Sequence, residues 1–199
     1  MKINNKLQNQ PIGIFDSGLG GLTVLKSLQK ILPNESFIYF GDTAHVPYGS
    51  KGTKTVIKYA QNIMDFFIQH NIKAVVVACN TVSAVAFDHL KNLYDIPIFD
   101  VVSPSVEFAF KNSINKNIGV VGTLSTIESK SYTKLFNTLD NTYLVKEVAC
   151  PLFVPIIEEG WANSNIAKDV AKIYLKEFNI INIDTLILGC THYPIMAQT

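Results

Sequence analysis

Short runs of β-branched and aliphatic residues recur along this chain, separated by longer stretches whose apolar positions return every third or fourth residue. The runs over 12–15, 37–40, 74–78, 98–102, 118–121, 143–148 and 185–188 predict strands. Segments 22–32, 53–70, 82–93, 105–111 and 165–178 predict helices. The clearest is 53–70, where Val56, Ile57, Ala60, Ile63, Met64, Phe67 and Ile68 form one apolar stripe. Alternation of this kind predicts an α/β fold with mainly parallel sheets flanked by helices. Such sheets hold ligands at the carboxyl ends of their strands, and the polar clusters of this sequence fall there.

The pattern also repeats on a longer scale. Ile12-Gly13-Ile14-Phe15-Asp16-Ser17-Gly18 resembles Ile118-Gly119-Val120-Val121-Gly122-Thr123, and Cys79-Asn80-Thr81 resembles Cys190-Thr191-His192, at offsets of 106 (118 − 12) and 111 (190 − 79) residues. Two related halves are expected, 1–102 and 103–199, with a boundary where strand 98–102 runs into Ser103-Pro104. Two such halves facing each other would present their cysteine-bearing strand ends to one shared cleft. Only residues 195–199 follow the last motif, too few for the helix the alternation asks for. Either the last strand lies differently or the sequence is a fragment.

Composition narrows the function classes. With 48% hydrophobic and 17% charged residues the chain is globular rather than disordered. A net charge of +1, with Lys and Arg scattered, gives no footing for nucleic acid or an anionic membrane. No apolar run approaches the ~18 residues needed to cross a bilayer. Residues 1–6 read as a frayed polar leader without a signal-peptide core, which points to the cytoplasm. Three cysteines, with no C-x-x-C and no zinc-like spacing, exclude a disulfide scaffold. Cys150, before Pro151 in an apolar stretch, reads as structural.

The chemistry concentrates in four places. Asp16-Ser17-Gly18-Leu19-Gly20-Gly21 follows a strand and opens a helix, so its free N–H groups suit a carboxylate or small phosphate. It lacks the Gly-Lys-Ser/Thr of a P-loop, and a tight turn capped by Asp16 or Ser17 is the plainer reading. Loop 42–50, containing Pro47-Tyr48-Gly49, is long for a simple strand–helix connection and can aim backbone N–H groups at a ligand. Cys79 and Cys190 each end an apolar strand and are followed by hydroxyl, amide or imidazole groups. Either alone would read as buried filler; two in matched settings read as a reactive pair. A free thiol with pKa ~8.5 is only a few per cent thiolate at neutral pH, and a helix start is expected to lower that value at Cys79. His192 is read as a proton partner of Cys190 or a carboxylate ligand, and Glu159, before Gly160-Trp161, as a carboxylate for the same site. Glu158 beside it reads as solvated.

Taken in order, Gly13-Ile14-Phe15-Asp16-Ser17-Gly18-Leu19-Gly20-Gly21, Pro47-Tyr48-Gly49, Ala78-Cys79-Asn80-Thr81, Glu159-Gly160-Trp161 and Gly189-Cys190-Thr191-His192-Tyr193-Pro194 resemble glutamate racemase, of the cofactor-independent Asp/Glu racemase family. The resemblance spans roughly Pro11 to Pro194. It implies two pseudo-symmetric α/β domains with the active site between them, no cofactor, usually a homodimer, and D-glutamate made for peptidoglycan. It implies Cys79 and Cys190 as catalytic acid/bases, with Asp16 assisting Cys79 and Glu159 and His192 assisting Cys190. Asp16, Ser17, Pro47, Tyr48, Gly49, Asn80, Thr81, Thr123, Thr126, Thr191 and His192 would hold the substrate. Family members continue past the Cys-Thr-His motif with segments that complete the N-terminal domain, so the 1–102 half is expected to lack part of its structure. Some members also act on DNA gyrase, on which this sequence is silent.

Racemisation removes a weakly acidic α-proton and returns one to the opposite face, which favours two groups, one thiolate and one thiol. No lysine lies in any motif, which argues against pyridoxal phosphate. Three alternatives stay open: a racemase for aspartate or another amino acid, a cysteine hydrolase that would leave one thiol idle, and an inactive chain acting as a binding protein.

Overall fold

The structure, a computed structural model, describes residues 9–198; the expected frayed leader lies outside the described residues, as does Thr199. The chain divides into two compact units, one ending at Val101 and the other beginning at Val102.

The first unit carries a four-stranded parallel sheet of β1 (Ile12–Asp16), β2 (Phe37–Gly41), β3 (Ala74–Val77) and β4 (Ile98–Phe99), in the order β2-β1-β3-β4. Its helices are α1 (Leu22–Ile31), α2 (Thr53–Gln69), α3 (Asn80–Val85) and α4 (Phe87–Leu93). The apolar stripe of α2 does what its spacing predicts: Val56, Ala60, Ile63, Met64 and Phe67 are buried with Phe15, Val75 and Val77 of the sheet. The stripe is narrower than predicted, because Ile57 is half-buried and Ile68 is exposed. Gly13 leaves room for the Phe67 ring; a Cβ there would lie 3.0 Å from it.

The second unit carries a three-stranded parallel sheet of β5 (Asn117–Gly122), β6 (Leu144–Ala149) and β7 (Thr185–Gly189), in the order β6-β5-β7. Its helices are α5 (Val102–Asn112), α6 (Leu124–Ser129), α7 (Ser131–Leu139), α8 (Phe153–Glu158) and α9 (Asn165–Leu175). Alternation along β5 splits its core in two. Ile118 and Val120 pack with Val102, Val106 and Ala109 of α5 and Tyr132 and Phe136 of α7. Val121 packs with Phe153 and Ile156 of α8 and with Cys190 and Tyr193. Both faces are therefore covered, as parallel sheets require.

The two units share one strand plan. In each, the first strand is central, with the second on one side and the third on the other. Phe15 pairs with Val77, two residues before Cys79; Val121 pairs with Leu188, two residues before Cys190. After the second strands, Asp42 N–H donates to the Asp16 carbonyl (3.1 Å) and Cys150 N–H to the Gly122 carbonyl (2.9 Å). The internal similarity of the sequence thus corresponds to a repeated register.

Element boundaries differ from expectation in four places. Segment 82–93 is two helices, breaking at Ala86, and the first begins at Asn80, directly after Cys79. Strand 98–102 is only Ile98–Phe99, because α5 already starts at Val102; Pro104 sits in its first turn, where a missing N–H costs no helical bond. Helices α6 and α7 are rich in Ser and Thr, whose side chains compete for the backbone, so local propensity hides them. Helix α8 contains Pro155, tolerated in its first turn for the same reason as Pro104.

Candidate functional site

In the first unit, parallel pairing puts the carboxyl ends of β1, β2 and β3 on one edge. That edge carries Asp16 and Ser17, loop 42–50, and Cys79 with Asn80 and Thr81. Asp16 is fully buried. Its Oδ2 accepts from the N–H groups of Gly18 (3.3 Å) and Gly21 (2.9 Å), while Oδ1 is buried with no hydrogen-bond partner. Gly21 is required here, since a Cβ would stand 2.5 Å from the Asp16 Cβ. The 17–21 loop therefore wraps the carboxylate and leaves one oxygen free for chemistry.

Cys79 is buried at the entry to α3, and its Sγ lies 3.7 Å from Ser17 Oγ. The lowering expected from the helix start is present but outweighed. Burial pushes the thiol up to about 12, and the negative charge of Asp16 adds to the push. The Val82 N–H and the Ser17 hydroxyl and N–H pull the other way without winning. In a desolvated site the charged thiolate loses more than six-residue α3 and a few donors restore.

Loop 42–50 is organised by Asp42 rather than by its Pro-Tyr-Gly tip. The Tyr48 hydroxyl donates to Asp42 Oδ2, and His45 Nδ1 lies 2.8 and 2.9 Å from the two Asp42 oxygens. His45 also stacks on Tyr59, with ring centroids 4.2 Å apart. Tyr48 is itself buried, and burial together with its bond to Asp42 holds its hydroxyl protonated. Its phenol is thus committed to the loop. Pro47 is exposed, whereas Asn80 and Thr81 are buried in the first turn of α3.

In the second unit, Thr123 caps α6: its Oγ1 accepts from Thr126 N–H (3.4 Å) and lies 2.9 Å from Thr126 Oγ1. Thr126 is fully buried. At the end of β7, Cys190 Sγ lies 3.9 Å from His192 Nδ1, and Thr191 Oγ1 lies 3.5 Å from the same nitrogen. The other imidazole nitrogen, Nε2, stands 3.3 Å from Oε1 of Glu158. Glu158 is as exposed as its solvated reading expects, at 52% side-chain exposure, yet its carboxylate meets His192; Glu159 is the exposed C-cap of α8. The signal was helical phase, since Phe153, Ile156 and Ile157 turn inward and set which of two adjacent glutamates leans toward β7. Among the described residues, no three His, Cys, Asp or Glu side chains cluster as metal ligands would.

Each unit thus ends its third strand in a buried thiol beside ionisable groups, Asp16 in one and His192 with Glu158 in the other. Comparison with known proteins gives this arrangement its class. The sequence profile of the Asp/Glu/Hydantoin racemases matches residues 12–199, and the chain belongs to that family. Membership places it among the racemases, a class of isomerase. Glutamate racemase from Thermoanaerobacter pseudethanolicus is 50% identical over 192 residues, covering 96% of this chain and 72% of the relative. The crystal structure of glutamate racemase from Francisella tularensis in complex with D-glutamate superposes with a TM-score of 0.92 at 44% identity, covering 96% of this chain and 72% of that one. Glutamate racemase isoform RacE1 from Bacillus anthracis gives a TM-score of 0.92 at 37% identity, over 95% and 71% of the two chains.

Proposed function

We propose that this chain interconverts L- and D-glutamate without a cofactor, using Cys79 and Cys190 as a pair of acid/bases that address opposite faces of the α-carbon. The observation that carries the reading is the register equivalence of the two thiols, each at the end of the third strand of its sheet and each beside a group able to take its proton. Glutamate is favoured over aspartate by the identity of the relatives, which reaches 52% with a glutamate racemase.

Starting from D-glutamate, the Cys79 thiolate takes the α-proton, the electron pair is left on Cα and its carboxylate, and the Cys190 thiol delivers a proton to the opposite face. L-glutamate leaves with Cys79 as thiol and Cys190 as thiolate; the reverse reaction exchanges these roles. Because burial disfavours a free thiolate at Cys79, its proton needs an acceptor, and the unpartnered Oδ1 of Asp16 suits that role. At Cys190 the acceptor is His192 Nδ1, available when Nε2–H donates to Glu158. Ser17, Asn80 and Thr81, with backbone N–H groups of loop 42–50, are proposed to hold one end of the substrate, and Thr123, Thr126 and Thr191 the other. Donors fixed around the α-carboxylate would stabilise the carbanionic transition state. Three buried cysteines outside any disulfide suit a reducing cytoplasm, where the product would serve peptidoglycan synthesis. A homodimer is proposed on the family resemblance alone.

The test is deuterium incorporation at Cα from heavy water, with D- and L-glutamate and, in parallel, aspartate. Wild type should exchange both glutamate enantiomers. Cys79→Ser should lose abstraction from D-glutamate and Cys190→Ser from L-glutamate. Folded wild-type protein that exchanges neither, or prefers aspartate, would refute the assignment.

A further inference from the structure

Tyr39 lies on β2, outside every motif considered so far, yet its hydroxyl reaches the loop that holds Asp16. It donates to the Gly18 carbonyl at 2.7 Å. It also stands where a Gly21 Cβ would be only 3.0 Å away. Gly18 and Gly21 are the two residues whose N–H groups hold Asp16 Oδ2. One phenol thus bonds to one end of the loop that fixes the carboxylate and closely approaches the other. The carboxyl end of β2 completes the clamp, since a Cβ on Gly41 would stand 2.5 Å from the Gly18 carbonyl oxygen.

We propose that Tyr39 is a positioning residue for the Asp16–Cys79 proton relay: by closing the 18–21 loop it keeps the unpartnered Asp16 oxygen in register with the thiol. The inference rests on the racemase reading for its catalytic consequence, but its geometric content does not. The phenol stays neutral because burial, the Asp16 carboxylate and Cys79 all oppose its ionisation. It therefore acts by its dipole and shape, not as an acid. The ionisable groups that Cys79 faces are Asp16, Tyr39 and Tyr48, the last tied to Asp42.

Tyr39→Phe removes one oxygen and leaves the ring. Two measurements test it, with Tyr94→Phe as control, because the Tyr94 hydroxyl donates to the Gln61 carbonyl and to Asp65, away from the loop. The first needs no turnover: the pH profile of iodoacetamide labelling at Cys79, resolved by mass spectrometry. Asp16 raises the Cys79 pKa, so loosening the carboxylate should shift the labelling midpoint to lower pH, toward the profile of Asp16→Asn. Tyr94→Phe should not shift it. The second is the primary isotope effect on kcat/KM with α-deuterated substrates. Tyr39→Phe should lower kcat/KM about tenfold and raise the effect for D-glutamate relative to L-glutamate, because only the Cys79 step is slowed. A profile and isotope-effect ratio matching wild type would overturn the inference. A wild type without exchange, but with a shifted Tyr39→Phe labelling profile, would instead refute the racemase reading and leave the clamp standing.

Discussion

At the scale of single residues, the proposed relay distinguishes two adjacent carboxylates. Glu158 lies 3.3 Å from His192 Nε2, and Glu159 caps α8 in solvent. Glu158→Gln should slow the Cys190 step on the order of 10²-fold, within the range for a general acid–base contribution, while Glu159→Gln stays within about twofold of wild type. Steady-state racemisation of L-glutamate by both variants checks this; equal losses would count against the relay. Asp16, Cys79, Cys190 and His192 stand out in local sequence as candidates because each abuts a strand end. The Glu158–Glu159 choice does not, because adjacent helical positions differ by about 100° and only packing sets the phase. The thiol pKa was misjudged for a related reason: helix position is local, but desolvation depends on everything packed around Cys79.

At the scale of elements, the amphipathic helix α2 seals the first sheet through Phe67, which is fully buried and whose ring centroid lies 6.3 Å from that of Phe15. Phe67→Ala should cost about 3–5 kcal/mol of unfolding free energy, measured by urea titration, since Gly13 opposite offers no side chain to fill the space. A loss below about 1 kcal/mol would mean that the sheet collapses onto the gap. Long elements with a clear period, such as α2 and β5, are legible because one residue type per face suffices to write them. Helices α6 and α7 were missed although Tyr132, Leu135, Phe136 and Leu139 already carry a helical spacing. Their Ser and Thr content masks it, and it is burial of Tyr132 and Phe136 against β5 that secures the helix.

At the scale of the whole molecule, stability should be flat in the middle of the pH range and fall at both ends. Asp184 is held down to about 2 by the Asn115 N–H, Ser113, the Ile114 N–H and Thr185, and Asp140 to about 2 by Lys116 and Thr142. Both sit below their unfolded value of ~3.9, so their contribution is complete above about pH 4 and lost as pH falls through 2. Cys79 and Cys150 are pushed up to about 12, largely by burial. Their contribution is complete below the unfolded thiol pKa of ~8.5 and lost as pH rises from there to about 12. Thermal melts from pH 2 to 11 should show this plateau, and Asp184→Asn should narrow its deficit toward pH 2; a maximum at the extremes would contradict the assignment. What the sequence determined by itself is what short-range patterning encodes: the strand–helix alternation, the parallel class, the internal repeat and the thiols at two strand ends. What only the tertiary structure decided is what depends on groups far apart in the chain. That set comprises the register making Cys79 and Cys190 equivalent, the pairing of His192 with Glu158, the commitment of Tyr48 to Asp42, and the clamp of Tyr39 on the Asp16 loop. Periodicity records which side of an element faces inward, while hydrogen bonds and desolvation depend on the neighbours that folding brings to that side.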